Sequence, residues 1–167
     1  QPHGALFWTG GNGALNAVGG TISGTNAFDN SIINKLTTAT ITGSDVTIQG
    51  GAISGNGANL NEITNNIDPI VSGPGYLDIY GGNISGNNNH DNTLTNTFTG
   101  NVNTGSVYMG GDNGVSTGII SGDGVYNDTI NNTIAGSVTA SGNVVMGNDV
   151  LAATNGYNNS LTNAITN

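Results

Sequence analysis

The chain has 167 residues, of which 91 are Gly, Asn, Thr or Ser, and 35% of its residues are hydrophobic. These four residue types are weak helix formers and no long apolar stripe recurs at helical spacing, so the composition argues against a helical globule. One Lys, no Arg and ten carboxylates give a net charge of −9, which argues against nucleic acid and anionic membranes as partners. Cys is absent and no apolar run reaches the length of a membrane span, so we expect neither disulfides nor membrane insertion.

The N-terminal segment, residues 1–18, is predicted to be a half-coil of the repeat that follows. It begins with Gln1 rather than Met, which predicts a mature extracellular or cell-surface product whose signal peptide has been removed. It lacks the opening phrase of the repeat, but residues 13–20 align with residues 75–82. Its apolar side chains are predicted either to cap the core or to contact a partner: Phe7, Trp8, Leu15 and Val18.

Residues 19–147 contain four full copies of a repeat of about 31 residues. The phrase Gly-Gly-x-Ile-Ser-Gly begins at Gly19 and recurs after 31 and again after 31 residues. A variant follows after 36 residues, and the extra residues predict a loop inserted near 110–117. A repeat of this length indicates structural units that stack on one another.

A second phrase, Ile-x-Asn-x-Leu or a close variant, follows in every copy. Side chains two residues apart share one face of a strand, and a single short strand cannot bury an apolar face alone. We therefore predict an all-β fold, a parallel β-solenoid of about five coils in a single domain, with coils ~4.8 Å apart. The central asparagines are predicted to form an inward-facing amide ladder, with exposed turns as the alternative: Asn34, Asn65, Asn96, Asn132 and Asn163.

Residues 148–167 are predicted to form a C-terminal half-coil that contains Leu151, Leu161 and Ile165. With no capping helix and no polar terminal repeat, the strand edges at both ends invite pairing with another chain. Our hypothesis is that the C-terminal half-coil of one copy meets the N-terminal half-coil of the next, giving filaments, hoops or sheets. The alternative is a domain excised from a longer repeat protein.

The Gly-Gly-x-Ile phrases, as in Gly50-Gly51-Ala52-Ile53, resemble the repeats of polymorphic outer-membrane proteins and autotransporter passengers. The match is partial, because the Phe-x-x-Asn companion motif of that family occurs once, at Phe98–Asn101, and no membrane-barrel domain is present. The Cys-free repeat also looks like self-assembling fibre or sheath proteins of microbial surfaces. Both resemblances imply an extracellular structural or adhesive role, with other copies of the chain, glycans or the cell envelope as partners.

The sequence offers little for catalysis, so we predict that the chain is not an enzyme. A polysaccharide lyase needs a basic residue, and Lys35 is the sole strong base; a glycosidase needs paired carboxylates, and Asp123, Asp128 and Asp149 are interpreted as solvated corner acids. We predict no cofactor beyond weak Ca²⁺ binding at turns such as 110–114. Four asparagines match glycan acceptor motifs: Asn83, Asn127, Asn131 and Asn158.

Three functions remain open at this point: a self-assembling structural subunit, an adhesin that binds a glycan or surface, and a polysaccharide-active β-helix. An ice-binding solenoid is a further alternative, because two ranks of mostly hydroxyl side chains flank the Asn column. Glu62, Ile33 and Asn131 interrupt those ranks. The first function is our prediction.

Overall fold

The structure is a computed structural model that describes residues 3–5, 15–37, 40–42, 45–110, 118–147 and 149–167. In these residues twenty short strands, β1 to β20 in chain order, form four parallel sheets, and no helix occurs among them. The prediction of an all-β parallel β-solenoid is confirmed. The solenoid makes about four turns rather than the five coils predicted, because the first and last copies of the motif belong to incomplete turns.

The four sheets run along the solenoid axis, and each receives one strand per turn. Sheet A contains β1 (His3–Ala5), β4 (Ser31–Leu36), β8 (Glu62–Ile67), β12 (Thr93–Phe98), β16 (Thr129–Ile134) and β20 (Ser160–Ile165). Sheet B contains β2 (Leu15–Val18), β6 (Asp45–Gln49), β10 (Tyr76–Tyr80), β14 (Ser106–Met109) and β18 (Val144–Met146). Sheet C contains β3 (Thr21–Ser23), β7 (Ala52–Ser54), β11 (Gly82–Ser85), β15 (Gly118–Asp123) and β19 (Val150–Thr154). Sheet D contains β5 (Ile41–Thr42), β9 (Val71–Ser72), β13 (Val102–Thr104) and β17 (Val138–Ala140).

The chain visits the sheets in the order A, D, B, C, and equivalent residues of successive turns lie opposite each other. Asn65 pairs with Asn96 in sheet A, and the register survives the insertion, because Ile84 pairs with Ile120 in sheet C. The aliphatic columns seen in the sequence are therefore columns in space. Alternation along a strand decides which columns face inward, as in β12, where every second side chain is buried.

The interior contains two apolar clusters. One lies between sheets D, B and the C-terminal halves of the sheet A strands, and includes Ile41, Ile79 and Phe98. The other lies between sheet C and the N-terminal halves of the sheet A strands, and includes Ile53, Ile84 and Leu94. A column of asparagines lies in the middle of the sheet A strands. Along each strand, the asparagine separates the residue that packs in one cluster from the residue that packs in the other.

The corner between sheets B and C is built from glycine pairs. Gly51, the second glycine of one pair, has a φ of 98°, a conformation that L side chains rarely adopt. The first glycine, Gly50, is buried where successive coils approach closely, and a Cβ atom there would collide with the carbonyl oxygen of Gly81. The Gly-Gly phrase of the sequence is thus required by both backbone conformation and space.

Candidate assembly edges and the asparagine columns

The ladder asparagines form a continuous hydrogen-bonded column inside sheet A. Nδ2 of Asn34 donates to Oδ1 of Asn65 at 2.8 Å, and the same bond repeats up to Asn163 at 2.7–2.8 Å. Every donor lies on the N-terminal side of its acceptor, so the column has a direction. Asn65, Asn96 and Asn132 are at most 4% exposed, whereas the two end members are partly buried.

The same side chains bind the corner between sheets B and C. The Nδ2 atoms donate to the carbonyl oxygen of the first corner glycine, at 2.7, 3.1 and 3.3 Å: Asn34 to Gly19, Asn65 to Gly50 and Asn96 to Gly81. Because an amide nitrogen carries two hydrogens, both are used. Sequence reasoning did not link the Gly-Gly phrase to the Asn column, although their constant separation of 15 residues was a usable signal.

A second polar column lies just before the sheet A strands. Oδ1 of Asn92 accepts hydrogen bonds from the backbone nitrogen and from Nδ2 of Asn61, at 3.1 and 2.9 Å. Asn61 and Asn92 are at most 1% exposed. The column caps the backbone at the entry to each strand, and its members are Asn30, Asn61, Asn92, Asp128 and Asn159.

Asp128 is the acidic member of this second column and is fully buried, so its interpretation as a solvated corner acid is wrong. Its Oδ1 accepts from the backbone nitrogen and Nδ2 of Asn92 at 2.8 and 3.0 Å, while its buried Oδ2 has no hydrogen-bond partner among the described residues. Burial raises the pKa of Asp128 to about 6, against the opposing effect of the hydrogen bonds from Asn92. Asn92, one turn earlier in the same column, has an Nδ2 group where Asp128 has Oδ2. This Nδ2 group donates a hydrogen bond to the carbonyl oxygen of Ala58. An ionised carboxylate has no proton with which to make that bond.

The outer edges of β17, β18, β19 and β20, which we call the C-terminal edge, pair with no other described strand. Three residues of core columns are exposed there by 46%, 45% and 54%: Val144, Met146 and Leu151. Their neighbours one turn inward are each 0% exposed: Val107, Met109 and Ile120. Val144 and Met146 were not among the predicted end residues, although Met146 belongs to an aliphatic column visible in the sequence. Leu161 and Ile165 are partly buried against the two clusters.

The opposite end, which we call the N-terminal edge, comprises the outer edges of β2 and β3 and the outer side of β4, which pairs with β1. Ile22 and Leu36 are 7% and 3% exposed there. Leu15 pairs in backbone register with Val46. Val18 is 60% exposed and belongs to an outward column with Gln49. Two other predicted end residues lie outside the described residues: Phe7 and Trp8.

Asp149 lies beside the C-terminal member of the ladder. Its Oδ2 accepts a hydrogen bond from Nδ2 of Asn163 at 2.6 Å, and burial raises the pKa of this carboxyl. Asp149 stands where the preceding turn has Gly118, because Ile119 pairs with Val150. An acid therefore replaces the corner glycine at the C-terminal edge. Asp149 lies at the corner before β19, whereas Asp128 lies at a different corner, before β16.

A column of mostly aromatic side chains, which we call the aromatic column, runs outside the solenoid at the turns before β4, β8, β12, β16 and β20. The rings of His90 and Tyr126 are stacked with centroids 4.7 Å apart, and those of Tyr126 and Tyr157 with centroids 4.9 Å apart. Backbone bridges extend the same column through Asn59 to Phe28. Both end members are exposed, Phe28 by 60% and Tyr157 by 57%. Stacked rings at such spacing add stability beyond their buried area.

A shallow groove of about 350 Å³ follows the corner between sheets B and C. Its lining combines the aromatic ring of Tyr80 with polar side chains such as Gln49 and Asn83 and with small corner residues. Asn83 is also one of the predicted glycan acceptors and is exposed, as is Asn158. Asn127 and Asn131 are partly buried, and Nδ2 of Asn127 donates to Asp91 at 3.0 Å. Glycosylation of the four asparagines stays a prediction.

Among the described residues, no group of three or more His, Asp or Glu side chains is placed to hold a metal ion. Most of the predicted loop at 110–117 lies outside those residues. Within the described ranges no helix has the length and apolar character of a membrane span. No family model, curated protein sequence or solved structure matches this chain.

Proposed function

We propose that this chain is a structural subunit that assembles head to tail, by β-strand pairing between the C-terminal edge of one copy and the N-terminal edge of the next. The observation that carries the proposal is the exposure of Leu151. This side chain is 54% exposed, whereas Ile120 and Ile84, which precede it in the same column, are 0% exposed. A second copy extends the column and buries it.

The energetic argument adds apolar burial to backbone pairing. Covering each half-exposed side chain of the C-terminal edge contributes roughly 1 kcal/mol, about half the value for burying a whole aliphatic side chain. Edge strands also present unpaired N–H and C=O groups, which favour pairing with another strand. The partner that fits best is another copy, because it offers the same column chemistry in the same order.

We further propose that the assembly lies outside the cell, as a filament, sheath or surface layer. Support comes from the resemblance of the Gly-Gly-x-Ile phrases to surface repeats and from the absence of Cys. A stack of copies joined edge to edge is a heterologous assembly, which extends unless curvature closes a ring.

A glycan-binding adhesin is the second candidate, and the groove beside Tyr80 favours it. An aromatic ring flanked by amide side chains suits the apolar face and the hydroxyl groups of a sugar. Binding of neutral oligosaccharides that is lost in Tyr80→Ala, in a chain that stays monomeric, would favour this candidate over assembly.

The assembly is tested by comparing two substitutions in the 167-residue chain. Leu151→Glu places a charge on the C-terminal edge, and Ile70→Glu places the same charge on a 46% exposed residue in the middle of the solenoid. We expect the unmodified chain and Ile70→Glu to form elongated particles in negative-stain microscopy and sedimentation. Leu151→Glu should weaken the affinity of one copy for the next at least tenfold, which corresponds to a loss of about 1.4 kcal/mol of binding free energy. A monomeric unmodified chain, or equal behaviour of both variants, would contradict the proposal.

A further inference from the structure

We propose that the joint between copies forms by strand exchange, in which β20 of one copy replaces β1 of the next copy on the outer side of β4. This inference rests on the proposed assembly and specifies its interface. The occupant of the N-terminal edge is thus the last strand of sheet A from a second copy of the same chain.

β1 differs from the next strand of sheet A at the ladder position. β8 places Asn65 opposite Asn34 on one side of β4. Gly4 lies opposite Asn34, so the ladder position of β1 has no amide side chain.

β20 has the ladder amide that β1 lacks. Its order of aliphatic, Asn and aliphatic matches that of β4. Extending the register that relates successive strands of sheet A brings the following residues of β20 and β4 opposite each other: Leu161 and Ile32, Asn163 and Asn34, Ile165 and Leu36. Each pair joins chemically similar residues.

The direction of the ladder agrees with this joint. Each asparagine donates toward the C-terminal end of the solenoid, and Asn163 is the last donor. Its Nδ2 carries two hydrogens, and Asp149 is its one acceptor among the described residues. At the other end, no described residue donates to Oδ1 of Asn34. In the exchanged joint Asn163 of one copy donates to Asn34 of the next, and the ladder continues with unchanged direction.

Exchange also lets sheets B and C continue without a gap. The chain runs from sheet A through D, B and C before it returns to A. If β1 stayed in place and stacked on β20, sheets B and C would each lack one strand at the joint. If β20 replaces β1, then β2 follows β18 and β3 follows β19. The columns then bring Leu151 opposite Ile22 in sheet C, and in sheet B they bring Val144 and Met146 into backbone register with Leu15 and Ala17.

The aromatic column provides an independent observation. Phe28 and Tyr157 are the two ends of one bridged column, and both are more than half exposed. The register that places β20 on β4 places Tyr157 of one copy beside Phe28 of the next. Aromatic pairs at this spacing favour association beyond the area they bury.

Cysteine cross-linking tests the exchange, because the chain has no Cys of its own. The double variant Ile33→Cys with Thr162→Cys places thiols on outward-facing, exposed positions of β4 and β20. Within one copy these strands are separated by three others, or ~19 Å, which is too far for a disulfide. In the exchanged joint the two positions lie opposite each other. The matched control, His3→Cys with Thr162→Cys, joins copies only if β1 remains in place and stacks on β20.

We expect the first double variant to give a ladder of covalent multimers on a non-reducing gel after oxidation, and the control pair to give none. Each single-cysteine variant should give dimers at most. The reverse pattern would overturn exchange. If neither pair cross-links while the chain still sediments as a polymer, exchange is wrong and assembly stands; if there is no polymer, the assembly itself fails. Gly4→Pro, which weakens β1 as a competitor, should raise the elongation rate, and a loss of elongation would overturn the inference.

Discussion

Nδ2 of Asn65 donates a hydrogen bond to the carbonyl oxygen of Gly50 at 3.1 Å, across the interior from sheet A to the corner between sheets B and C. The two residues are 15 positions apart, and the pairs Asn34–Gly19 and Asn96–Gly81 repeat the bond. A column of amides is thereby fixed to a column of glycines. The buried ladder amides are hydrogen-bonded in this way, and the glycines provide the space that the amides need.

Gly50→Ala should destabilise the fold strongly. A Cβ atom there would collide with the carbonyl oxygen of Gly81 and lie 2.8 Å from Nδ2 of Asn96, so the backbone of two coils must move apart. We expect the free energy of unfolding in urea to fall by about 3 kcal/mol or more. Gly24→Ala is the control, because its Cβ would meet nothing within 4 Å. Its φ of 124° makes the expected cost about 1–2 kcal/mol, from backbone strain alone. Equal losses would contradict the role of the close approach at Gly50.

Asn96→Asp tests the ladder itself. The substitution replaces an amide that is 0% exposed and donates to Gly81 and Asn132 with a carboxylate that donates to neither. An unpaired buried charge is expected to lower the free energy of unfolding by about 3–5 kcal/mol at neutral pH. Thr95→Asp, one residue earlier on the outward face of the same strand, should cost less than about 1 kcal/mol. Similar losses for both variants in urea titrations would show that the ladder contributes little.

Asp128→Asn should raise stability at neutral pH and leave it unchanged in acid. The pKa of Asp128 is raised from 3.8 to about 6 in the folded chain, so folding favours the protonated carboxyl. The stability that the protonated Asp128 carboxyl contributes is fully present below pH 3.8 and is lost as the pH rises through about 6. We expect Asp128→Asn to gain on the order of 2 kcal/mol over the unmodified chain at pH 7.5 and nothing at pH 3.5. The control, Asp123→Asn, changes an exposed carboxyl. A gain for Asp128→Asn that does not vary with pH in urea unfolding would contradict the role of ionisation.

Assembly should depend on salt. Each copy carries a net charge of −9 with one cationic side chain, so neighbouring copies repel one another. The proposed joint consists of apolar and amide groups, which salt does not weaken. Raising the ionic strength from about 0.01 M to about 0.15 M shortens the Debye length from about 30 to about 8 Å and should accelerate elongation, measured by light scattering. Slower elongation at the higher salt would indicate a joint made by ion pairs instead. The chain offers Lys35, which pairs with Asp68 at 3.4 Å, as its one candidate for such a joint.

The periodicity of the sequence was sufficient to predict the solenoid, because a repeat that cannot bury its own apolar face must stack. Ile53, Ile84 and Ile120 could be placed in one column before any coordinates, since equivalent residues of stacked coils lie above each other. The bond from Asn65 to Gly50 could not be derived in the same way. Spacing relates residues along one column, whereas this bond joins two columns across the interior, and its length depends on how the corners fold. The exposure of Val144 and Met146 was missed because it depends on which sheets lose their covering strand at the edge.

The sequence by itself determined the fold class, the repeat length and the identity of the inward columns, because the two-residue alternation and the repeat of about 31 residues are properties of the chain. The tertiary structure alone decided how the columns bond to each other and which of their members remain uncovered at the edges. The pairing of Gly4 with Asn34 and that of Asn132 with Asn163 illustrate the difference. Strand pairing is a contact between distant parts of the chain, and its strength depends on how many backbone and side-chain groups the fold brings opposite each other.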